Sequence, residues 1–393
     1  MKIVFFTNEY SHPKLPSSGG VGSFLKTMAT TMIKEGHEVH VYGFSKQSID
    51  FKDEQITFKF FKKYSKQFPF SEFLRSLNGK LNIKNTERYF LKKERQYLAK
   101  QLKRYCVKNN IDIIESFVFN GFTAYWDNSI PLVIRFHGSR GFWHHYLGAK
   151  KEEHKIYMEQ LALENTAHTV AVSKFSANAV KEIYNVDIDK VIHNGIDANL
   201  FSPNLQVSEI EQSIFYFGTL SKAKGVCILC EVFNTIVENH PKATLHLIGR
   251  GVDFLEHVKS TILSEKAKIN MTYYGVKQMH ELPDLLSQAT VCVFPSLNEN
   301  FSLAIEEAMA LQKPVIASNI PAFKEIITTN ENGFIAESQE DYSKYISLIF
   351  TNTEEKKRIS KNAREHILNL FTKDIMVQKS MAYYKNILNK NDT

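Results

Sequence analysis

The sequence predicts an α/β protein built from two doubly wound parallel-sheet domains. Short apolar runs alternate with helical segments in the first half, as in IVFFT followed by GGVGSFLKTMATTMIKEG. The alternation restarts with IFYFG after a polar stretch, residues 197–213, that contains Pro203. At 393 residues the chain also exceeds the usual size of one core,. Strands separated by helices indicate parallel sheets with right-handed crossovers, and hence two such domains.

The apolar runs give the order of the elements. The predicted strands of the first domain are IVFFT, VHVYG, ITFKFF, DIIESF, LVIRFHG, TVAVS and KVIHNG. Those of the second domain are IFYFG, TLHLIG, INMTYYG, VCVFP, PVIAS and GFIAE, and the chain from Glu354 onward is helical. The predicted division is 1–200, a linker at 201–212, 213–371, and a final helical segment at 372–393. In such folds ligands bind at the carboxyl ends of the strands, so a shared cleft is expected.

Composition indicates a globular protein with 43% hydrophobic and 23% charged residues,. No apolar run of eighteen residues occurs, so no membrane-spanning helix is predicted,. MKIVFFTNEY is interpreted as a first strand rather than a signal peptide. Cys227 and Cys230 form a lone CxxC within an apolar helical segment, which favours core packing over a metal or redox site,. A reducing cytoplasm fits this cysteine usage.

The net charge of +7 is concentrated in one region. Residues 51–110 contain 16 Lys or Arg and 5 Asp or Glu, which gives +11 there and leaves −4 for the rest. Aromatic residues from Phe58 to Phe73 interleave with the lysines. This pattern suits an anionic membrane surface, single-stranded nucleic acid, or a solvated face over ordinary core aromatics. The membrane interpretation is preferred to the nucleic-acid one.

The stretch PSLNENFSLAIEEAMA places carboxylates on and beside an apolar helix that begins near Ser302. Glu307 lies one turn into the helix on a face that is otherwise suited to burial, so its carboxylate needs hydrogen-bond donors such as sugar hydroxyls. Glu299 precedes the helix, beside first-turn amides that can bind an anion. A surface residue at a helix N-terminus is the alternative for Glu299. Glu306 is expected to face solvent.

This stretch resembles the Glu-x7-Glu signature of retaining glycosyltransferase family 4, with Glu299 and Glu307 at the two Glu positions. Five further segments resemble the family's motifs in the same order: SSGGVGSFLKTMATTMIKEGHEVHVYG, VIRFHG, AVSKFS, IHNGIDANLFSP and FGTLSKAKG. Asn300 and Ser302 stand where the family often has Gly, and Thr219 stands where it usually has Arg. The resemblance covers nearly the whole chain and implies the GT-B fold, with two Rossmann-like domains and a last helix that returns to the first domain.

The resemblance also implies roles for individual residues. His137 and Glu299 are the expected catalytic residues, with His137 contacting the donor sugar near an oxocarbenium-like transition state. Lys224, before Gly225 at a helix start, is suited to a pyrophosphate, and Lys222 is one candidate for the charge missing at Thr219. The expected donor-binding residues are Gly20, Thr219, Lys224, Arg250, Val276, Asn300, Phe301, Ser302, Leu303 and Glu307.

The resulting prediction is a retaining glycosyltransferase for surface polysaccharide or glycolipid synthesis. The expected donor is a UDP- or GDP-sugar, and the acceptor a glycan or lipid-linked glycan bound through the first domain, where residues 138–151 form a candidate acceptor loop. No metal, cofactor or nucleic-acid partner is expected. The protein is expected in the cytoplasm, at the inner face of the membrane. A GT-B nucleotide-sugar epimerase and a non-catalytic sugar- or nucleic-acid-binding protein are the alternatives. Leu25 at the third glycine position of the GGVG loop argues against a nicotinamide dehydrogenase,.

Overall fold

The computed structural model describes residues 1–16, 19–80 and 86–391. Two compact units form the chain, one comprising Met1–His193 with the residues from Met376 onward, the other Asn194–Ile375. The predicted division had placed its boundaries at 200, 212 and 371. Within the described residues, no helix is both long and apolar enough to cross a bilayer.

The first unit contains a sheet with the strand order β3-β4-β2-β1-β5-β6-β7-β8. All pairings are parallel except that of β3 with β4. Its strands are β1 Lys2–Thr7, β2 Glu38–Ser45, β3 Ile49–Asp53, β4 Ile56–Lys62, β5 Ile113–Phe117, β6 Leu132–Phe136, β7 His168–Ala171 and β8 Lys190–Val191. The central strand β1 reads KIVFFT and aligns Phe5 with Val41 and Glu115. Its continuous apolar run is typical of a parallel strand covered on both faces.

Helices cover both faces of this sheet. They are α1 Gly20–Lys34, α2 Tyr64–Gln67, α3 Pro69–Lys80, α4 Thr86–Asn109, α5 Arg140–Leu147, α6 Glu153–Glu164, α7 Lys174–Tyr184 and α16 Lys373–Asn391, with a 3₁₀ turn at Phe119–Gly121. Helix α1 buries Phe24, Leu25, Met28 and Met32, the positions predicted from helical spacing,. After this helix the chain turns at Gly36, whose φ of +83° favours glycine,.

The C-terminal helix belongs to the core of the first unit. Met376, Met381 and Tyr384 of α16 pack in one buried cluster with Ile3 and Phe5 of β1. The segment predicted to return to the first domain therefore contributes core side chains there.

A buried ionic network joins the same helix to the sheet. Arg135 on β6 and Glu115 on β5 are both fully buried, and Arg135 Nε donates to Glu115 Oε1 at 2.7 Å. Arg135 also donates to Ser380 Oγ at 3.0 Å, and the Tyr384 hydroxyl donates to Glu115 Oε2. Each charge is thus paired inside the protein, as buried ions require, although Arg135 Nη1 has no hydrogen-bond partner among the described residues.

The second unit contains a parallel sheet with the strand order β11-β10-β9-β12-β13-β14. Its strands are β9 Ser213–Phe217, β10 Thr244–Ile248, β11 Met271–Tyr273, β12 Val291–Phe294, β13 Val315–Ser318 and β14 Phe334–Ala336. Its helices are α8 Val226–Asn239, α9 Val252–Thr261, α10 Glu265–Ile269, α11 Leu282–Ser287, α12 Leu303–Ala310, α13 Pro321–Lys324, α14 Gln339–Thr351 and α15 Thr353–Leu370. Cys227 and Cys230 lie on α8 as free thiols, and Cys230 is buried. The prediction of two parallel-sheet α/β domains is confirmed.

Candidate functional site

The candidate site of the second unit lies where the strand order reverses. Successive strands β9, β10 and β11 run outward in one direction, and β12 then pairs with the other side of β9. In open α/β sheets, the crevice at such a switch point is where ligands bind. The loops that follow β9 and β12, residues 218–225 and 295–302, flank it.

These two loops are fixed against each other by backbone contacts. Leu297 N donates to Ala223 O at 2.9 Å. Gly225 has φ +71°, and a Cβ there would lie 1.8 Å from Pro295 O, so only glycine fits this approach,. The side chains carried by the two loops are therefore held in a defined register.

Lys224 and Glu299, predicted separately for phosphate and for catalysis, meet as an ion pair. Lys224 Nζ donates to Glu299 Oε1, and Ser296 Oγ donates to the same oxygen at 3.2 Å. The Lys224 side chain is 34% exposed and that of Glu299 is 16% exposed. The pair is thus accessible to solvent on the lysine side, where an anionic group can compete for the ammonium.

The N-terminus of α12 points additional donors at this region. Ser302 caps the helix, and its Oγ accepts from Ile305 N at 3.4 Å,. Within the described part of the chain, the amides of Leu303 and Ala304 donate to no other group. Free first-turn amides together with the helix dipole form an anion-binding arrangement. Phe301 is buried with its ring 5.9 Å from that of Phe371, and Asn300 between it and Glu299 is half-buried.

Glu307 lies in the second turn of α12 and is 9% exposed. Burial raises the pKa of its carboxyl to about 8. Because the ionised form of a buried acid is disfavoured without donors, ligand hydroxyls at this position would stabilise its carboxylate.

The prediction that Glu306 faces solvent is wrong. Glu306 is fully buried, and neither carboxylate oxygen has a hydrogen-bond partner among the described residues. Burial, and then the charge of Glu307, raise the pKa of Glu306 well above its usual value. The reason is that α12 is covered by both α15 and β13, so every residue from 305 to 310 is buried.

The loops after β10 and β11 continue the site along the sheet edge. Arg250 Nε donates to Thr219 Oγ1 at 3.3 Å, and Leu220 N donates to Arg250 O at 2.7 Å. A Cβ on Gly249 would lie 1.8 Å from Gly218 O, so these two loops also require close backbone approach. Val276, in the loop after β11, is 70% exposed. Thr219 and Arg250 were predicted as separate site residues, whereas their contact and the presence of Ser296 in the site were not predicted.

In the first unit, His137 follows β6 and packs between two aromatic rings. Its ring centroid lies 4.3 Å from that of Phe24 and 5.5 Å from that of Phe117. Burial, and then the charge of Arg135, lower the pKa of His137 well below its usual value. The imidazole is therefore neutral at neutral pH and suited to hydrogen bonding rather than to carrying charge.

Gly20 is the first residue of α1 and is exposed. A Cβ at this position would meet no atom within 4 Å, so no described protein group requires glycine there. Close approach of this loop's own backbone to a bound donor stays a prediction. Within the ranges described, no group of three or more His, Cys, Asp or Glu is placed to hold a metal ion.

The chain thus has two Rossmann-like α/β units. The sequence matches the family Glycosyl transferases group 1 over residues 199–366. It matches Glycosyltransferase Family 4 over residues 18–200. The two matches overlap at residues 199–200 and together span residues 18–366, and the chain belongs to the glycosyltransferases that these two models describe.

Curated relatives give the same family. An uncharacterized glycosyltransferase of Methanocaldococcus jannaschii is 26% identical over 244 residues, which cover 58% of this chain and 62% of the relative. The O-antigen chain mannosyltransferase RfbU of Salmonella typhimurium is 27% identical over 200 residues, 50% of this chain and 54% of the relative. A UDP-Gal:alpha-D-GlcNAc-diphosphoundecaprenol alpha-1,3-galactosyltransferase of Escherichia coli is 29% identical over 210 residues, 49% and 53% respectively. The matched regions span less than two thirds of these relatives' own length.

Solved structures resemble the whole chain. Sucrose-phosphate synthase from Thermosynechococcus elongatus superposes with a TM-score of 0.79 at 18% identity and covers 99% of both chains. A glycosyltransferase from Rickettsia africae gives a TM-score of 0.74 at 23% identity, covering 98% of both. HepE from Anabaena, in complex with UDP, gives 0.71 at 18% identity, covering 98% of this chain and 100% of that one. The fold is therefore GT-B.

Proposed function

We propose that this protein transfers a sugar from a nucleotide-diphosphate sugar to a saccharide or lipid-linked acceptor with retention of anomeric configuration. The observation that carries the proposal is the Lys224–Glu299 pair at the switch point, next to the free amides of α12. A diphosphate there would take the Lys224 ammonium and the amides together, which are the donors that anions prefer at such sites. Family membership supports the class of reaction.

In this proposal Lys224 has two partners in turn. Before the donor binds, its ammonium donates a hydrogen bond to the Glu299 carboxylate. When the diphosphate enters, Lys224 moves to the phosphate oxygens and leaves Glu299 facing the sugar. The leaving diphosphate gains charge during transfer, and Lys224 would stabilise that charge most strongly in the transition state.

Thr219 stands where the family usually has an arginine. In this proposal Arg250 provides the positive charge that this arginine would supply. Its guanidinium already contacts Thr219 Oγ1, so it occupies the place that a longer basic side chain at 219 would reach. Lys222 is exposed and lies further along the loop, two residues before Lys224. Arg250 is therefore preferred to Lys222 as the second phosphate ligand.

Glu307 would accept hydrogen bonds from the donor's ribose hydroxyls. Burial disfavours the ionised form of its carboxyl and raises the pKa to about 8. Hydrogen bonds from the ribose hydroxyls would therefore stabilise the carboxylate. His137, neutral and held between Phe24 and Phe117, would donate a hydrogen bond to the donor sugar.

The acceptor and setting proposed are those of bacterial surface polysaccharide or glycolipid synthesis in the cytoplasm, at the inner membrane face. Two relatives support this choice, an O-antigen mannosyltransferase and a galactosyltransferase that acts on a diphosphoundecaprenol-linked sugar. The concentration of positive charge in residues 51–110 supports an anionic surface as the neighbour,.

Thermal stabilisation by a panel of UDP- and GDP-sugars tests the donor first. UDP-glucose heads the panel because HepE is described in complex with it. A donor at 100 times its dissociation constant should stabilise the protein by about 2.7 kcal/mol. The stabilising donor should then be slowly hydrolysed when no acceptor is present. A protein that is stabilised by no nucleotide sugar, or that binds one without ever cleaving it, would not have the proposed function.

A further inference from the structure

Helix α3 exposes its apolar face. Phe70 is 72% exposed, Phe73 is 61% exposed and Leu77 is 43% exposed. Their spacing of three and four residues places them on one face of the helix. Phe68 and Tyr89, 42% and 56% exposed, extend the apolar surface on either side. Large apolar side chains gathered in one exposed patch mark an interaction site rather than ordinary surface.

The opposite side of α3 is tied to the protein by an ion pair. Arg75 Nε donates to Glu87 Oε2 on α4 at 2.8 Å. This bond holds the pKa of Glu87 below its usual value. Helix α3 is thus held to α4 by a polar contact on one side, while Phe70, Phe73 and Leu77 are exposed on the other. An exposed apolar face of this kind is typical of a surface that contacts an apolar partner.

Cations border the apolar face. Phe68, Phe70 and Tyr89 line a surface groove together with Lys93. Lys66, in the last turn of α2, is exposed and lies two residues before Phe68 in the chain. Residues 62–93 contain nine Lys or Arg and two Asp or Glu, so the sequence around the helix is strongly basic.

We infer that the α3 surface, defined as Phe68, Phe70, Phe73, Leu77, Tyr89, Lys66 and Lys93, docks on an anionic lipid bilayer. Helix α3 would lie along the membrane plane with its apolar side chains in the headgroup–acyl boundary, as interfacial amphipathic helices do. Lys66 and Lys93 would contact lipid phosphates. Charge complementarity selects lipid as the partner, because an apolar stripe with a cationic border matches an anionic leaflet. The choice of membrane rests in part on the proposed function, which is set at the inner membrane face.

This surface is narrower than the basic aromatic region considered from the sequence. Phe58 and Phe60 are buried in the core of the first unit. Lys59 pairs with Asp50 on β3 at 2.8 Å. The first part of region 51–110 is thus ordinary sheet structure, and the docking face begins with α2.

Vesicle flotation tests the inference. Wild-type protein is mixed at low salt with vesicles of equal parts phosphatidylcholine and phosphatidylglycerol, and with vesicles of phosphatidylcholine alone. We expect flotation with the anionic vesicles only, and release as salt is added, because exposed charges are screened over about 8 Å at physiological ionic strength. The double variant Phe70→Ser with Phe73→Ser should lower the partition constant by about tenfold or more per ring. The variant Lys66→Gln with Lys93→Gln should lower it roughly fivefold per lysine.

Matched controls are Val107→Ser and Lys108→Gln. Val107 is 62% exposed on the same helix as Tyr89, about 27 Å away along its axis. These controls should float like the wild type. Because every changed side chain is exposed, all variants should keep the wild-type melting temperature, which excludes misfolding as the cause of a loss.

Any of three results would overturn the inference. The first is that the wild type does not float with anionic vesicles, and the second is that the Phe70 and Phe73 variant floats as well as the wild type. The third is that the wild type floats equally well with neutral vesicles. A wild type that stays in solution but is a dimer by light scattering, and becomes a monomer in the Phe variant, would show instead an interface between copies. Flotation needs neither donor nor turnover. An active transferase that does not float refutes only the docking surface, and a floating protein that transfers no sugar refutes only the proposed function.

Discussion

Replacing Glu306 by leucine should stabilise the second unit, most strongly at neutral and alkaline pH. Glu306 is fully buried in α12, and its carboxylate oxygens have no partner among the described residues. Leucine has a similar volume and no polar atoms, so it removes an unpaired buried carboxyl without leaving a large cavity.

The magnitude follows from proton linkage. A glutamate in the unfolded chain loses its proton near pH 4.5, whereas folded Glu306 keeps it because its pKa is raised well above that value. The folded state then binds more protons than the unfolded state, so stability falls as pH rises, by about 1.4 kcal/mol per pH unit. At pH 7 this contribution reaches at most about 3–4 kcal/mol, and the unpaired neutral carboxyl adds about 1–3 kcal/mol at any pH.

The assay is urea denaturation followed by circular dichroism at pH 5 and at pH 8. Glu306→Leu should gain stability at both values and clearly more at the higher one. The matched control is Glu306→Gln, which keeps unpaired polar atoms but cannot ionise, so it should recover only the pH-dependent part. A leucine variant that is less stable than the wild type, or whose gain is the same at both pH values, would refute the reasoning.

The other predictions concern the site and the buried network. Glu307→Gln should weaken nucleotide-sugar binding by about tenfold or more. In the wild type, affinity should rise with pH up to about pH 8, because a carboxyl of pKa about 8 loses its proton there, and the variant should lack this rise. Calorimetry that finds pH-independent binding by the wild type would contradict the ribose role. Lys224→Ala should impair both affinity and turnover, and an equal loss of affinity for the free nucleoside would argue against a phosphate contact. Glu299→Ala should reduce turnover more than affinity, and wild-type turnover would remove Glu299 from the site. Tyr384→Phe should lower the unfolding free energy of the first unit by about 1.5–3 kcal/mol, since it removes a donor from a buried carboxylate. The control is Tyr383→Phe, because the Tyr383 hydroxyl donates to the exposed Asp189. Equal losses in the two variants would contradict the account.

The fold was largely predictable because its strands carry a strong signal. Parallel strands buried on both faces read as continuous apolar runs, and helices between them keep the 3.6-residue spacing. Strand β3, Ile49–Asp53, was not predicted, because an antiparallel edge strand needs only one covered face and IDFKD is mostly charged. Helix α10 was not predicted either; α9 ends at Thr261, and Ser264 starts the separate helix α10 by accepting a hydrogen bond from Ala267 N.

The site was predictable where one loop or helix defines it and not where distant segments meet. Ser302 could be placed at the start of α12 because a capping residue precedes an apolar helical run,. Glu306 could not be placed, because the helix that covers it, α15, begins nearly fifty residues later in the chain. Pairs such as Lys224 with Glu299, and Thr219 with Arg250, depend on strand order in the sheet, and side-chain pattern carries no information about that order.

The placement of α16 has a consequence for how the chain is made. Residues 1–193 leave the ribosome first, but the cluster around Ile3 and Phe5 stays incomplete until Met376, Met381 and Tyr384 have been translated. At the usual elongation rates, that interval is about 10–40 s. During it, Arg135 and Glu115 lack the hydroxyls of Ser380 and Tyr384, and the apolar groove for the last helix is open to water. The unit synthesised first is thus the one completed last, and a nascent chain stalled between residues 193 and 376 should be a preferred client of chaperones that bind exposed apolar surface.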